Sequence, residues 1–218
     1  MVKISVSILN IKDDWCWILK ELALSGIDFF HIDVMDWKFV MNNTKELMLK
    51  YSSLIKEISD KPLDVHLMTY NVKYYVDEFL EYNPSFITFH FEALESDDEV
   101  TELINYIKSK NIKVWLSVNP GTKVEKIYKY LSLIDMVLVM TVEPWLSWQK
   151  LIPSTIDKIK ELKSYVKNNN LYLDIEVDWW INLETSKLVK EAWANILVSW
   201  SAILNSENFL ETINLLKK

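Results

Sequence analysis

Hydrophobic and polar positions follow two periods along this chain, and the two periods take turns from end to end. Runs rich in Val, Ile and Phe predict strands over 3–9, 28–35, 63–68, 86–91, 112–118, 136–141, 172–177 and 195–199. Between them, Lys/Glu-rich amphipathic stretches predict helices near 12–25, 44–59, 71–82, 97–110, 123–132, 153–168, 184–192 and 206–217. Asn71, Thr122, Ser154 and Asn205 stand where helix N-caps are expected. Eight βα units of roughly 25 residues imply a parallel sheet, and eight strands are enough to close one. The pattern therefore predicts an α/β fold, a (β/α)8 TIM barrel, as one domain over residues 1–218.

Alternate residues of a strand share a face. In Phe30-His31-Ile32-Asp33-Val34-Met35-Asp36, the side chains of His31, Asp33 and Met35 point one way. Leu63-Asp64-Val65-His66-Leu67-Met68 repeats the pattern, and Leu173-Asp174-Ile175-Glu176-Val177-Asp178 ends on a carboxylate. Active sites of such barrels lie at the carboxyl ends of the strands. Ser7, His31, Asp33, His66, Met68, His90, Glu92, Asn119, Met140, Glu143 and Asp178 fall at or near those ends, including all three histidines of the chain. Two histidines and two aspartates there suit a divalent metal, and two carboxylates can also move protons.

Composition narrows the partners. The net charge of -7 argues against nucleic acid and against an anionic membrane surface. One cysteine, Cys16, excludes an internal disulfide and fits a reducing compartment. With no signal-peptide layout and no apolar run of membrane-spanning length, a cytoplasmic protein is expected. The 2 glycines and 10 tryptophans are abnormal, since an average chain is about 7% Gly.

Along essentially its whole length the chain resembles the ribulose-phosphate 3-epimerases. The matching segments are Ser7-Ile-Leu, His31-Ile-Asp-Val-Met-Asp36, Phe39-Val40 with Asn42, Asp64-Val-His-Leu-Met68, and Thr88-Phe-His90 with Glu92. They continue through Asn119-Pro-Gly-Thr122, Val139-Met-Thr-Val-Glu-Pro144 with Gln149, Glu176-Val-Asp178, and Val198-Ser199 with Ser201. The resemblance implies a barrel of the ribulose-phosphate-binding type that interconverts D-ribulose 5-phosphate and D-xylulose 5-phosphate. It makes His31, Asp33, His66 and Asp178 the ligands of one divalent metal, Zn²⁺ or Fe²⁺, with Mn²⁺ or Co²⁺ as further choices. Asp33 and Asp178 become the two acid/base groups that exchange the C3 proton through an enediolate. Ser7, His66, Met35, Met68 and Met140 would line the substrate pocket. The phosphate would rest on loops around Leu146, Ser147, Trp148, Trp179, Trp180, Trp200 and Ser201. A homo-oligomer is implied as well. The alternatives are a 3-epimerase of a hexulose 6-phosphate, and a non-catalytic barrel that has lost its phosphate site.

The same comparison exposes the tryptophans. Trp37, Trp115, Trp145, Trp148, Trp179, Trp180, Trp193 and Trp200 stand where the family pattern has glycine. Val6 and Met41 stand where it usually has proline. An indole would fill a backbone cradle for phosphate, and positions needing positive φ would be strained. Drift would scatter glycine into several small residues. One rare, bulky replacement points to a single cause, hypothesised to be UGA codons read as glycine in the source and translated as tryptophan; the alternative is a truly Trp-rich, nonfunctional barrel. Full restoration would give twelve glycines.

Overall fold

A computed structural model describes residues 2–11, 15–144 and 150–218. Eight strands form a closed parallel barrel in sequence order. They are β1 (Lys3–Ser7), β2 (Phe29–Met35), β3 (Leu63–Met68), β4 (Phe86–His90), β5 (Lys113–Val118), β6 (Met136–Met140), β7 (Asp174–Asp178) and β8 (Ile196–Ser199). The helices around them are α1 (Trp15–Leu24), α2 (Lys45–Ile58), α3 (Val72–Phe79), α4 (Asp97–Ser109), α5 (Ser154–Asn168), α6 (Thr185–Glu191), α7 (Ser201–Leu204) and α8 (Phe209–Lys217).

Each predicted strand is present. Among the described residues the helical elements differ in four places, one of them a 3₁₀ turn, Phe91–Ala93, directly after β4. Residues 124–130 form a 3₁₀ turn (Val124–Tyr130) rather than an α-helix. The stretch near 71–82 ends in a 3₁₀ turn, Leu80–Tyr82. The short α7 was not expected from the pattern. Caps differ too. Asn71 occupies an N-cap without a side-chain bond, Ser154 lies inside α5 after Pro153, and Asn205 closes α7 at its C-terminus. Thr122 precedes Lys123, which caps the 3₁₀ turn. Among the described residues, the N-cap side chains that bond are Ser96, accepting from the Glu99 N–H, and Asn208, accepting from the Glu211 N–H.

Parallel strands covered on both faces are apolar nearly throughout. Outward residues such as Phe30, Ile32, Val34, Val65 and Val139 join the helices in the main core. Inward residues fill the barrel in layers. Phe29, Trp115, Met136 and Ile196 make an apolar floor. Above it the lining turns polar.

Helix ends show what the backbone demands. Gly26 follows α1 at φ 82°, and Asn111 and Asn170 follow α4 and α5 at φ 60° and 52°. These are C′ positions, where the left-handed conformation favours glycine or asparagine. Trp193 holds the equivalent place after α6, at φ 81°. Its N–H meets Lys190 O and the Ala194 N–H meets Val189 O, both at 2.9 Å. The α5 end repeats this pair with Asn170 and Leu171. For a residue bearing a Cβ, this conformation costs about 1–2 kcal/mol.

Candidate active site

Strand register sets the site. His31 pairs with Asp64 and Asp33 with His66 across β2 and β3, Ser7 pairs with His31 across β1 and β2, and Met140 pairs with Asp178 across β6 and β7. Ser7, Asp33, His66, Met140 and Asp178 lie toward the carboxyl ends of their strands, Asp64 lies deeper near the start of β3, and all of these inward side chains are buried.

Four ligand atoms converge. His31 Nε2 lies 3.3 Å from Asp33 Oδ1 and 3.6 Å from Asp178 Oδ2. His66 Nδ1 lies 3.5 Å from Asp33 Oδ1 and 3.6 Å from Asp178 Oδ2. The two ring nitrogens are 3.3 Å apart, and all four atoms fall within 4.8 Å of one another. A tetrahedral ion with bonds of about 2.1 Å spans ligand separations of roughly 3.4 Å. Asp33 Oδ1 and Asp178 Oδ2 are also buried without a hydrogen-bond partner. Buried carboxylate oxygens demand a partner, and a cation between them supplies one.

The outer atoms of these groups are held. Ser7 Oγ donates to Asp33 Oδ2 at 2.6 Å, so Ser7 positions a carboxylate. The Trp179 N–H donates to Asp178 Oδ1 at 2.7 Å. His31 Nδ1 meets Asp64 Oδ2 at 2.7 Å. His66 Nε2 meets His90 Nε2 at 2.8 Å, and His90 Nδ1 lies 3.5 Å from Glu92 Oε2. His66 thus turns Nδ1 to the centre and Nε2 to His90. Thr44, which the sequence did not single out, accepts from the Met35 N–H and donates to Asp33 O. Asp36 accepts from the N–H groups of Lys38, Phe39 and Tyr70, tying together the loops after β2 and β3. Asp64 faces inward by alternation, but only the register puts it beside His31.

Charge follows from these contacts. Burial opposes a charge on His31, yet Asp64, Asp33 and Asp178 outweigh it and hold its pKa well above 6.5. Burial likewise favours neutral Asp33, but His31 and His66 pull its pKa down. Burial, with His66 beside it, lowers His90 and keeps it neutral. Burial and the Asp64 charge push Glu176 well up. Without a metal, a proton on His31 therefore stands in for part of a cation's charge. Its folded pKa exceeds its unfolded one, so the stability it gives is complete below about pH 6.5 and is lost as pH rises through the folded value. The metal-free protein should melt at lower temperature at pH 9 than at pH 6, and bound zinc should flatten that fall. Melts with and without chelator check this. A metal-free melting temperature that rises over the same interval contradicts it.

The pocket residues separate into groups. Met35 and Met68 are buried with Val40, and Met140 lies in the floor cluster. Trp179 packs against both groups. Trp179 and Trp180 have φ of 77° and 60°. Trp180 and Trp200 are partly exposed, and Trp200 caps α7, with Ser201 its first residue. Leu146, Ser147 and Trp148 lie outside the described residues. Trp115, also at a family glycine position, is accommodated: it stacks on Phe86 at 4.1 Å in the barrel floor. Glu143 is half-buried, and burial raises its pKa.

The Ribulose-phosphate 3 epimerase family matches residues 3–204. The chain is 37% identical to the ribulose-phosphate 3-epimerase of Methanocaldococcus jannaschii, over 100% of this chain and 91% of that protein. It is 35% identical to that of Bacillus subtilis, over 98% and 97%. Among solved structures, 3-hexulose-6-phosphate synthase from Salmonella typhimurium superposes with a TM-score of 0.69 at 11% identity, covering 99% of this chain and 96% of that one. Tryptophan synthase from Mycobacterium tuberculosis gives 0.67 at 11%, covering 99% and 91%. At such identities these two likenesses establish the barrel alone.

Proposed function

Because the chain belongs to the ribulose-phosphate 3-epimerase family, we propose that it inverts carbon 3 of a pentulose 5-phosphate, interconverting D-ribulose 5-phosphate and D-xylulose 5-phosphate. The observation that carries this reading is the pair of orphaned carboxylate oxygens, Asp33 Oδ1 and Asp178 Oδ2, facing one point beside two imidazoles. His31, Asp33, His66 and Asp178 would hold a divalent ion, with Zn²⁺ or Fe²⁺ best suited to mixed imidazole and carboxylate ligands and Mn²⁺ or Co²⁺ tolerated. When bound, the ion supplies Lewis-acid stabilisation of negative charge on the sugar oxygens.

The residues do the rest. Asp33, from β2, takes the C3 proton, and the C–H electron pair forms the C2–C3 double bond as the carbonyl pair moves to oxygen. Asp178, from β7, delivers a proton to the other face of C3. The reverse reaction exchanges the roles. Ser7 and the Trp179 N–H fix the two carboxylates while this happens. The thioethers of Met35, Met68 and Met140 line the site without offering a proton to the enediolate.

The φ values of Trp179, Trp180 and Trp193 support glycine as the residue the source organism places there, through UGA codons. Codons at these positions and peptide masses of the natural protein test that reading, and UGG would end it. For the reaction, the test is turnover of ribulose 5-phosphate against allulose 6-phosphate. Chelation should remove activity by about 10²-fold or more and zinc should restore it. Preference for the hexulose phosphate would favour the hexulose epimerase, and binding of neither sugar the non-catalytic barrel.

A further inference from the structure

Below the four converging atoms lies a second polar layer that the proposed reaction does not use. It consists of Ser5 on β1, Asp64 on β3 and Glu176 on β7, all fully buried. Asp64 Oδ2 accepts from Ser5 Oγ at 2.8 Å and lies 2.7 Å from His31 Nδ1. These groups are on the floor side of His31, so they touch neither the sugar nor the proposed cation.

We infer that Asp64 is a positioning residue: it holds the His31 proton on Nδ1 and so keeps the Nε2 lone pair directed at the cation. The inference rests on the metal-dependent reading above. A neutral imidazole has one lone pair to give, and the partner of the other nitrogen decides which. Asp64 Oδ2 already accepts from Ser5 Oγ, and the same oxygen faces His31 Nδ1 as an acceptor. A carboxylate behind a ligating imidazole also raises its basicity.

The two ligating histidines therefore differ. His31 is backed by an acid, whereas His66 is backed by His90, another imidazole. Losing the carboxylate should disturb His31 alone. His31, Asp64 and Glu176 also bring three ligand atoms within 4.8 Å of one another, which raises the question of a second ion. With the inferred proton on Nδ1 that nitrogen is closed to metal, so a single ion is expected.

The test is Asp64→Asn in the full chain. The amide can turn its NH₂ to Nδ1 and drive the proton onto Nε2, the tautomer that cannot ligate. Zinc alone is titrated by calorimetry against a competing chelator. Ring ¹⁵N spectra report the tautomers, and three histidines keep them simple to assign. Wild type should bind one zinc, and Asp64→Asn should bind it about 10–100-fold more weakly, with the His31 tautomer altered and His66 unchanged. Ser5→Ala, which loosens the same carboxylate, should weaken zinc in the same direction by less, and it decides the matter if the first variant does not fold. Wild-type zinc affinity no better than that of His31→Ala would defeat the metal reading itself. Unchanged affinity and tautomer in Asp64→Asn or, should that not fold, in Ser5→Ala, or two zincs in wild type, would defeat the role of Asp64 alone.

Discussion

With glycine at all ten tryptophan positions, the chain is expected to turn over ribulose 5-phosphate at least ~100-fold faster, in kcat/KM, than the all-tryptophan chain. A hundredfold corresponds to about 2.7 kcal/mol of transition-state stabilisation, similar to removing one preorganised donor from a closed site. Two effects combine at Trp179 and Trp180. Each holds a left-handed φ, costing about 1–2 kcal/mol for a residue with a Cβ. The Trp179 indole also packs against the clusters of Met35, Met68 and Met140, in the space proposed for the sugar. Placing tryptophan back at 179 and 180 of the glycine chain should lose most of the gain. Trp193 separates strain from blockage. It is 64% exposed at the C-terminus of α6, so Trp193→Gly should raise the melting temperature by a few degrees and leave turnover unchanged. A glycine chain no more active than the tryptophan chain, or a destabilised Trp193→Gly, would count against the glycine assignment.

Removing either proposed proton-transfer group should be nearly as severe. Asp33→Asn and Asp178→Asn are each expected to lower kcat by about 10³-fold or more, within the range for acid/base groups in direct contact with the reacting carbon. The signature lies in isotope exchange. In deuterated water Asp178→Asn should still let Asp33 exchange the C3 hydrogen of one epimer, without inverting it, and Asp33→Asn should do the same for the other. Zinc content, measured on each variant, separates loss of metal from loss of proton transfer. Washing of deuterium into both epimers by both variants would sink a mechanism with one base on each face.

How far the sequence reaches depends on the range of the interaction. Period and composition are local, and they carried the eight strands, their order and the inward phase of His31, Asp33, His66 and Asp178. A one-residue error in phase would have sent each of these outward. Turn type and caps were less legible: the 3₁₀ turn at Val124–Tyr130 and the capping by Ser96 and Asn208 depend on where neighbouring loops end.

The linear pattern put His31, Asp33, His66 and Asp178 among the inward strand residues, since spacing along each strand fixes which side chains share a face, and the family resemblance singled out those four as proposed ligands. What only the closed barrel decided is which face meets which. Strand register brings Asp64 against His31, and the closed barrel sets His90 Nε2 2.8 Å from His66 Nε2. The backbone around residues 179, 180 and 193 takes dihedral angles that only tertiary closure and helix termination impose. Composition made the tryptophans conspicuous; the positive φ supplied the physical reason that three of them do not suit their places.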